Sequence, residues 1–364
     1  MADLVLREVV VDGRLVDVRA SGGVITEIDR RLPSRPGDDE VDGRRGALIP
    51  GLHDHHVHLL ALAAAEPSPV SADPPASPPA PDLAATGARL AGYGVTGVSD
   101  LTPTGSSSDL AVLAAAAGSG ALPQRVIVGT GPGLAAALAP APLTTGPVKL
   151  VVDDGAPPTL DTLVRWMRAA RDAARPVAVH CVTRAGLALA LDAWDRVGTR
   201  PGDRIEHGSV VPPDLRSVVA ARHLTVVTQP GYVLERGDRY LASVAHADLP
   251  HLYPCRGLIE AGIPVGGGTD APYGHPDPWR AIASAIERRT SGGRPLGVRE
   301  AVSPERALAL FLTPLDDPGG TPRRVELGAP ADLCLLDGPL SQVLEGPSSD
   351  SVAATVIGGA VRHR

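Results

Sequence analysis

Ile49-Pro50-Gly51-Leu52-His53-Asp54-His55-His56-Val57-His58 carries four histidines at the end of an apolar run that begins at Ala47. On a strand, side chains alternate with period two, so His56 and His58 share one face and both rings can reach one ion. Asp54 falls on that face too, while His53 and His55 point the other way as packing or supporting groups. A His-x-His pair alone is weak evidence of a metal site. The spacing of four downstream residues decides the reading. Lys149, His180, His207 and Asp270 come after His58 at successive intervals of 91, 31, 27 and 63 positions. One strand-helix-strand unit takes about 30 residues, so these intervals correspond to three, one, one and two units. The candidate residues therefore fall on strands 1, 4, 5, 6 and 8 of an eight-unit ring. Each stands at or near the C-terminal end of its run, the face where catalytic residues gather in a (β/α)8 barrel. An open doubly wound sheet could hold eight strands as well, but it would not return strand 1 to strand 8.

The rest of the chain agrees with this count. Apolar runs at 47–58, 95–100, 125–130, 148–153, 177–182, 204–208, 224–229 and 263–270 alternate with helical stretches such as 160–174, 185–197 and 278–289, the pattern of repeated βα units. Residues 67–82 read as a Pro/Ser/Ala-rich loop after the first strand, and 231–251 as a long polar loop after the seventh. Before residue 47, strands are expected at 4–11, 15–18 and 24–28, separated by Asp12-Gly13 and Ser21-Gly22-Gly23 turns. Similar strands return at 333–336, 352–357 and 360–361. Both termini thus build one small β domain, 1–48 plus 321–364, around an inserted barrel at 49–320.

Lys149 is the only lysine; every other one of the 34 Lys and Arg positions is Arg. Arg keeps its proton, whereas a buried Lys amine shifts its pKa readily and can act as a nucleophile. A charged ammonium in Val148-Lys149-Leu150-Val151-Val152 would be costly to bury unless paired or neutralised. One solution is capture of CO2, which makes a carbamate whose oxygens can bridge two metals. The other is an ion pair with Asp153 or Asp154. Residue by residue, plainer readings exist elsewhere too. A single strand-end histidine such as His180 or His207 is more often a satisfied core group than a ligand. Asp270, in Gly-Gly-Gly-Thr-Asp-Ala-Pro, could cap a turn. Four histidines, a lysine and an aspartate converging on one rim are harder to explain as packing. His223, His246, His251, His275 and His363 read as surface residues.

Composition excludes several classes. A net charge of -7 and a pI near 5.9, with no basic run, leave no footprint for a phosphate backbone or an anionic membrane. There is no stretch of 18 apolar residues and no basic-then-apolar leader at the start. Cys181, Cys255 and Cys334 are odd in number and far apart, which suits packing roles in a reducing cytoplasm.

Taken together, these residues resemble the amidohydrolase superfamily over nearly the whole chain. The segment 48–58 resembles that family's first strand, and Gly94-Val95-Thr96-Gly97-Val98-Ser99-Asp100, Thr269-Asp270-Ala271-Pro272 and Gly328-Ala329-Pro330-Ala331-Asp332-Leu333 resemble further family segments. Val148-Lys149-Leu150, the region around His180 and Thr228-Gln229-Pro230 look most like its formamide-deformylase-like branch. The resemblance implies a distorted (β/α)8 barrel with a β-sandwich made by both termini. It implies that His56 and His58 hold one divalent metal and His180 and His207 another, zinc first, with manganese, iron or cobalt as alternatives. Carboxylated Lys149 would bridge them, and Asp270 would bind metal while moving protons for an activated water. The chain departs from the branch by being shorter and by having Thr183-Arg184 where the branch has Gly-Asp.

The leading expectation is hydrolysis of an amide or formamide C–N bond in a small molecule. Deamination of a heterocycle calls for a Glu where Thr183 stands. Lactone hydrolysis or decarboxylation in the same site, and a non-catalytic barrel scaffold, stay open. Arg184 is a candidate for a substrate carboxylate or a solvated helix-start residue. Tyr232, Arg239, Tyr240, Tyr273 and Trp279 are candidate pocket residues, or covers of the barrel mouth. Partners are a small-molecule substrate and a second copy of the chain in a homodimer, with no nucleic acid or membrane.

Overall fold

The computed structural model describes residues 3–65, 81–103 and 106–364; 67–80 of the Pro/Ser/Ala-rich loop lie outside them. Among the described residues, sixteen strands form three sheets. Strands β1 (Leu4–Val11), β2 (Arg14–Ser21), β3 (Val24–Asp29) and β4 (Asp39–Asp42) make the first, in the order β3-β2-β1-β4. β5 (Leu48–Pro50) joins β14 (Leu333–Leu336), β15 (Val352–Ile357) and β16 (Ala360–His363) in the second, an antiparallel sheet ordered β16-β15-β14-β5. Leu4, Leu6, Val18 and Ile25 from one sheet share an apolar cluster with Leu48, Leu333, Leu335 and Val356 from the other. The termini thus form the expected sandwich.

The third sheet is parallel and runs β6 (Leu52–Val57), β7 (Val95–Asp100), β8 (Arg125–Thr130), β9 (Thr144–Val151), β10 (Val177–Cys181), β11 (Arg204–His207), β12 (Thr225–Thr228), β13 (Val265–Gly267). These strands are buried along nearly their whole length, as strands covered on both faces must be. The ring closes between β13 and β6 at its C-terminal rim, where Val57 bridges Ala271, His58 N donates to Ala271 O at 2.8 Å and Asp270 N donates to His56 O at 2.7 Å.

Two expectations change. The run 47–58 is two strands in different sheets: Gly51 N donates to Asp332 O in the sandwich while Leu52 N donates to Gly94 O in the barrel. A Cβ on Gly51 would come within 2.0 Å of the Thr96 side chain, so only glycine fits where the chain changes sheets. The polar stretch after β12 is not a loop. Residues Gly231–Ser243 form an α-helix that buries Tyr232, Val233 and Gly237, and a short 3-10 turn follows at Leu249–His251. No helix among the described residues is long and apolar enough to cross a membrane.

Candidate metal centre

Each candidate ligand leaves a barrel strand at the rim. β6 carries His56 and leads directly into His58; β9 carries Lys149, paired in register with Ala178 of β10. His180 and His207 stand near the ends of β10 and β11, and Asp270 follows β13. His207 (φ +70°) and Asp270 (φ +58°) both adopt left-handed backbone, which a non-glycine residue keeps only when its surroundings insist on it. For His207 the consequence is visible. The turn lets Glu206 and His207, which strict alternation would send to opposite faces, both reach the site.

The four imidazoles and Asp270 come together. Ring centroids are 5.3 Å apart for His56 and His58, 4.8 Å for His56 and His207, and 4.3 Å for His180 and His207. Asp270 Oδ1 lies 3.0 Å from His58 Nε2 and 3.5 Å from His56 Nε2, and its Oδ2 is 3.9 Å from His207 Nδ1. One ligand atom each from His56, His58 and Asp270 lies within 4.8 Å of the others, a spacing one ion can span. Asp54, by contrast, is no ligand. Its oxygens accept from His56 N, Thr269 N and Thr269 Oγ1, and its burial raises the carboxyl to about 7. His53 and His55 face Thr313, through its carbonyl at 2.9 Å and its hydroxyl at 2.8 Å, as supporting groups.

Lys149 is 2% exposed, and its amine has no hydrogen-bond partner among the described residues. The pairing with Asp153 or Asp154 does not occur: Asp153 accepts from Gly155 N, and Asp154 accepts from Thr183 Oγ1 at 2.5 Å. Burial pushes the amine down to about 8, against the pull of Glu206 and Asp270. His56 and His207 are pushed down by burial, and His180 to about 4 by burial and then by Lys149. Against its burial, the Asp270 carboxyl is held far below its ordinary range by His56, His58 and His207. Among the described residues, the buried Lys149 amine and His56 Nε2 have no hydrogen-bond partner inside a cluster of imidazoles and a carboxylate, which fits a divalent metal centre.

Three groups that sequence reading did not single out for the site support these rings through Nδ1. Thr102 Oγ1 is 3.0 Å from His58 Nδ1, Glu206 Oε2 is 2.5 Å from His56 Nδ1, and Gln229 Oε1 is 2.8 Å from His207 Nδ1. Only Glu206 left a signal: Arg204 and Glu206 are charged residues two apart in a buried strand, and they pair there at 2.6 Å.

The pocket residues separate. Tyr232 is buried and donates from its hydroxyl to Asp270 Oδ2 at 2.6 Å. Tyr273 is 61% exposed and stands edge-on to His58 at 5.3 Å; its ring also lines a cavity of 380 Å³ with Arg280, His275 and Glu235. The remaining four face elsewhere. Trp279 is fully buried and donates to Tyr93 O at 3.0 Å, so it is core and not pocket wall. Tyr240 pairs with Tyr253 through their hydroxyls at 3.0 Å, Arg239 is exposed, and Arg184 forms an ion pair with Asp248. The larger clefts, 810 Å³ beside Arg216 and 820 Å³ on the sandwich, contain none of the candidate ligands.

Residues 79–363 match the family model described as Amidohydrolase family. The chain is 24% identical over 196 residues to the N-substituted formamide deformylase of Arthrobacter pascens, a match covering 51% of this chain and 36% of the deformylase. It thus spans well under half the length of that relative. Among solved structures it resembles N-isopropylammelide isopropylaminohydrolase from Burkholderia multivorans ATCC 17616 (TM-score 0.71, 20% identity, 99% of this chain and 98% of that one). It also resembles an uncharacterized metal-dependent hydrolase from Pyrococcus horikoshii ot3 (TM-score 0.73, 17% identity, 95% and 99%). At such identities these two likenesses establish the barrel fold, and the first two matches bear out the resemblance read from the sequence.

Proposed function

This chain belongs to the amidohydrolase family, and on that premise we propose that it is a metal-dependent hydrolase cleaving a non-peptide carbon–nitrogen bond, an amide or formamide, in a small molecule. The observation that carries the reading is Lys149: a single lysine, buried, with no hydrogen-bond partner among the described residues, on the barrel strand beside that of His180. Its neutral amine can add CO2. The new N–C bond forms as one amine proton leaves, and the product is an anionic carbamate. In this reading His56, His58 and Asp270 would hold one ion and His180 and His207 a second, with the Lys149 carbamate as a further anionic ligand. Four imidazoles favour zinc, with manganese, iron or cobalt as alternatives. Divalent ions bound there would lower the pKa of a water and polarise a carbonyl.

The chain's own groups supply the rest. Asp270 Oδ2, held by the Tyr232 hydroxyl, is the acceptor for the proton released as water attacks and the donor to the leaving nitrogen, a base and then an acid. Tyr273, exposed beside His58, meets the incoming substrate. The relative named N-substituted formamide deformylase supports beginning with formamides. Deamination is disfavoured by Thr183, which serves as the cap of the helix Arg184–Val197, accepting from Gly186 N at 3.1 Å.

The test is metal analysis of the purified protein, followed by a panel of N-formyl, N-acyl and lactone compounds on zinc-loaded protein. The expected result is bound metal and turnover of an N-formyl or N-acyl compound that a chelator abolishes. Turnover of lactones alone would overturn the bond assignment, and correctly folded protein that takes up no metal would overturn the whole reading.

A further inference from the structure

Behind His56, outside the candidate ligand set, stands a carboxylate whose role rests on the metal reading above. Glu206 is fully buried, and both its oxygens are committed: Oε2 lies 2.5 Å from His56 Nδ1, and Oε1 accepts from Arg204 Nε at 2.6 Å. Arg204, itself buried, is paired with it through that contact, and a guanidinium enclosed in the barrel calls for an anion beside it, so Glu206 is the ionised carboxylate of the pair. An ionised carboxylate can only accept. His56 must therefore carry its hydrogen on Nδ1, which leaves a lone pair on Nε2, the atom without a partner 3.5 Å from Asp270 Oδ1. With no acceptor at Nδ1, the buried ring would gain by moving its hydrogen to Nε2 and donating to Asp270, and that tautomer cannot bind a metal.

We propose that Glu206 is a positioning residue of the metal centre, whose carboxylate fixes His56 in the tautomer that turns a bare Nε2 toward the ion. Arg204 makes this role possible by balancing the charge inside the barrel, so that Lys149 is not needed as the counter-ion. Carboxylates behind metal-binding histidines are worth a factor of about 10 to 100 in metal affinity.

Simple removal of Glu206 would strand the Arg204 charge in the core, so the test uses paired variants. Arg204→Met with Glu206→Gln keeps an acceptor at His56 Nδ1 without either charge, and Arg204→Met with Glu206→Leu keeps neither. Circular dichroism checks the fold, competition with a chromophoric chelator gives zinc affinity, and two-bond proton–nitrogen spectra of the metal-free protein report the His56 tautomer. The expected result is affinity within about tenfold of wild type for the Gln pair and a loss of about 10- to 100-fold for the Leu pair. His56 should carry hydrogen on Nδ1 in the wild type and on Nε2 in the Leu pair. Equal zinc affinities for the two pairs, or a wild-type His56 protonated on Nε2, would overturn the proposal. Because the tautomer is read without metal, a wild type that binds no zinc but shows the Nδ1 tautomer would sink the metal reading and keep the positioning of His56. If it shows the Nε2 tautomer, both fall.

Discussion

At Asp270 two demands meet in one carboxylate. Oδ1 faces the Nε2 atoms of His56 and His58, and Oδ2 is held by the Tyr232 hydroxyl, the division that the proposed roles at ion and proton require. Asp270→Asn keeps a metal-facing oxygen but loses the basic one. Turnover should fall by about 100- to 10,000-fold, the usual worth of a positioned general base, while part of the metal stays bound; metal analysis beside initial rates checks it, and wild-type rates would mean another group moves the proton. At Lys149 the argument is about chemistry and not charge, since a guanidinium cannot become a carbamate. Lys149→Arg should retain at most one ion per chain and lose most activity, which metal analysis and initial rates would show. The six ligand candidates could be read from the sequence because their spacing puts each at or near the C-terminal end of a barrel run. Glu206 could not. Alternation placed it opposite His207, and only the positive φ of His207 brings both to the site. Trp279 reads as a candidate for the pocket or the barrel mouth, but a large ring after β13 also suits the core, and its indole is spent on Tyr93 O.

Strands were the most legible elements. Parallel strands covered on both faces read as unbroken apolar runs, and β7 and β8 begin and end where the sequence suggested. The helix Gly231–Ser243 was missed for the converse reason. Its charged residues serve tertiary contacts: Glu235 accepts from His275 N, and Asp238 accepts from Thr290 Oγ1, Ser291 Oγ and Arg294 Nε. Those partners lie more than 35 positions away, beyond the reach of local pattern. The close approach of β6 to the turn after β13 was legible only as a cluster of glycines. A Cβ on Gly268 would stand 2.7 Å from His56 Cβ and 3.0 Å from His56 N, against backbone that has little room to yield. Gly268→Ala should therefore push His56 off its position, costing about 1–3 kcal/mol of stability and weakening zinc retention, with the barrel still folded. Thermal melts and chelator competition would show it, and unchanged zinc affinity would mean the two segments can separate without disturbing the ligand.

Over the whole molecule, sandwich and barrel are joined by polar contacts around the strand switch at Gly51. Arg323 donates to Gly51 O, and Arg125 of β8 pairs with Asp332 just before β14. Arg323 is buried enough to be pushed down to about 10, and its charge sits near His53 and His55, helping to keep both rings neutral. The barrel end of this chain thus carries neutral buried imidazoles on both faces of β6, and this sets the response to acid. Burial depresses His53, His55, His56, His180 and His207. Unfolded, each binds a proton near 6.5; folded, His180 does so only near 4 and His55 near 3. Between those values the unfolded chain holds more protons, so stability falls as the pH is lowered. Asp54 works the other way. Raised to about 7, it keeps its proton in the fold while the unfolded group releases it near 3.8, so acidification through 7 favours the fold. Burial raises Glu235 and Asp277 as well, but it also depresses His251 and His275, so the depressed imidazoles outnumber the raised carboxyls and prevail. Urea midpoints of the metal-free protein should hold roughly steady from about pH 8 to 7 and decline from about pH 6.5 toward 5. A midpoint that stays level or rises across that lower window would mean the rings take up protons inside the folded barrel, and that the site is wetter than its burial implies.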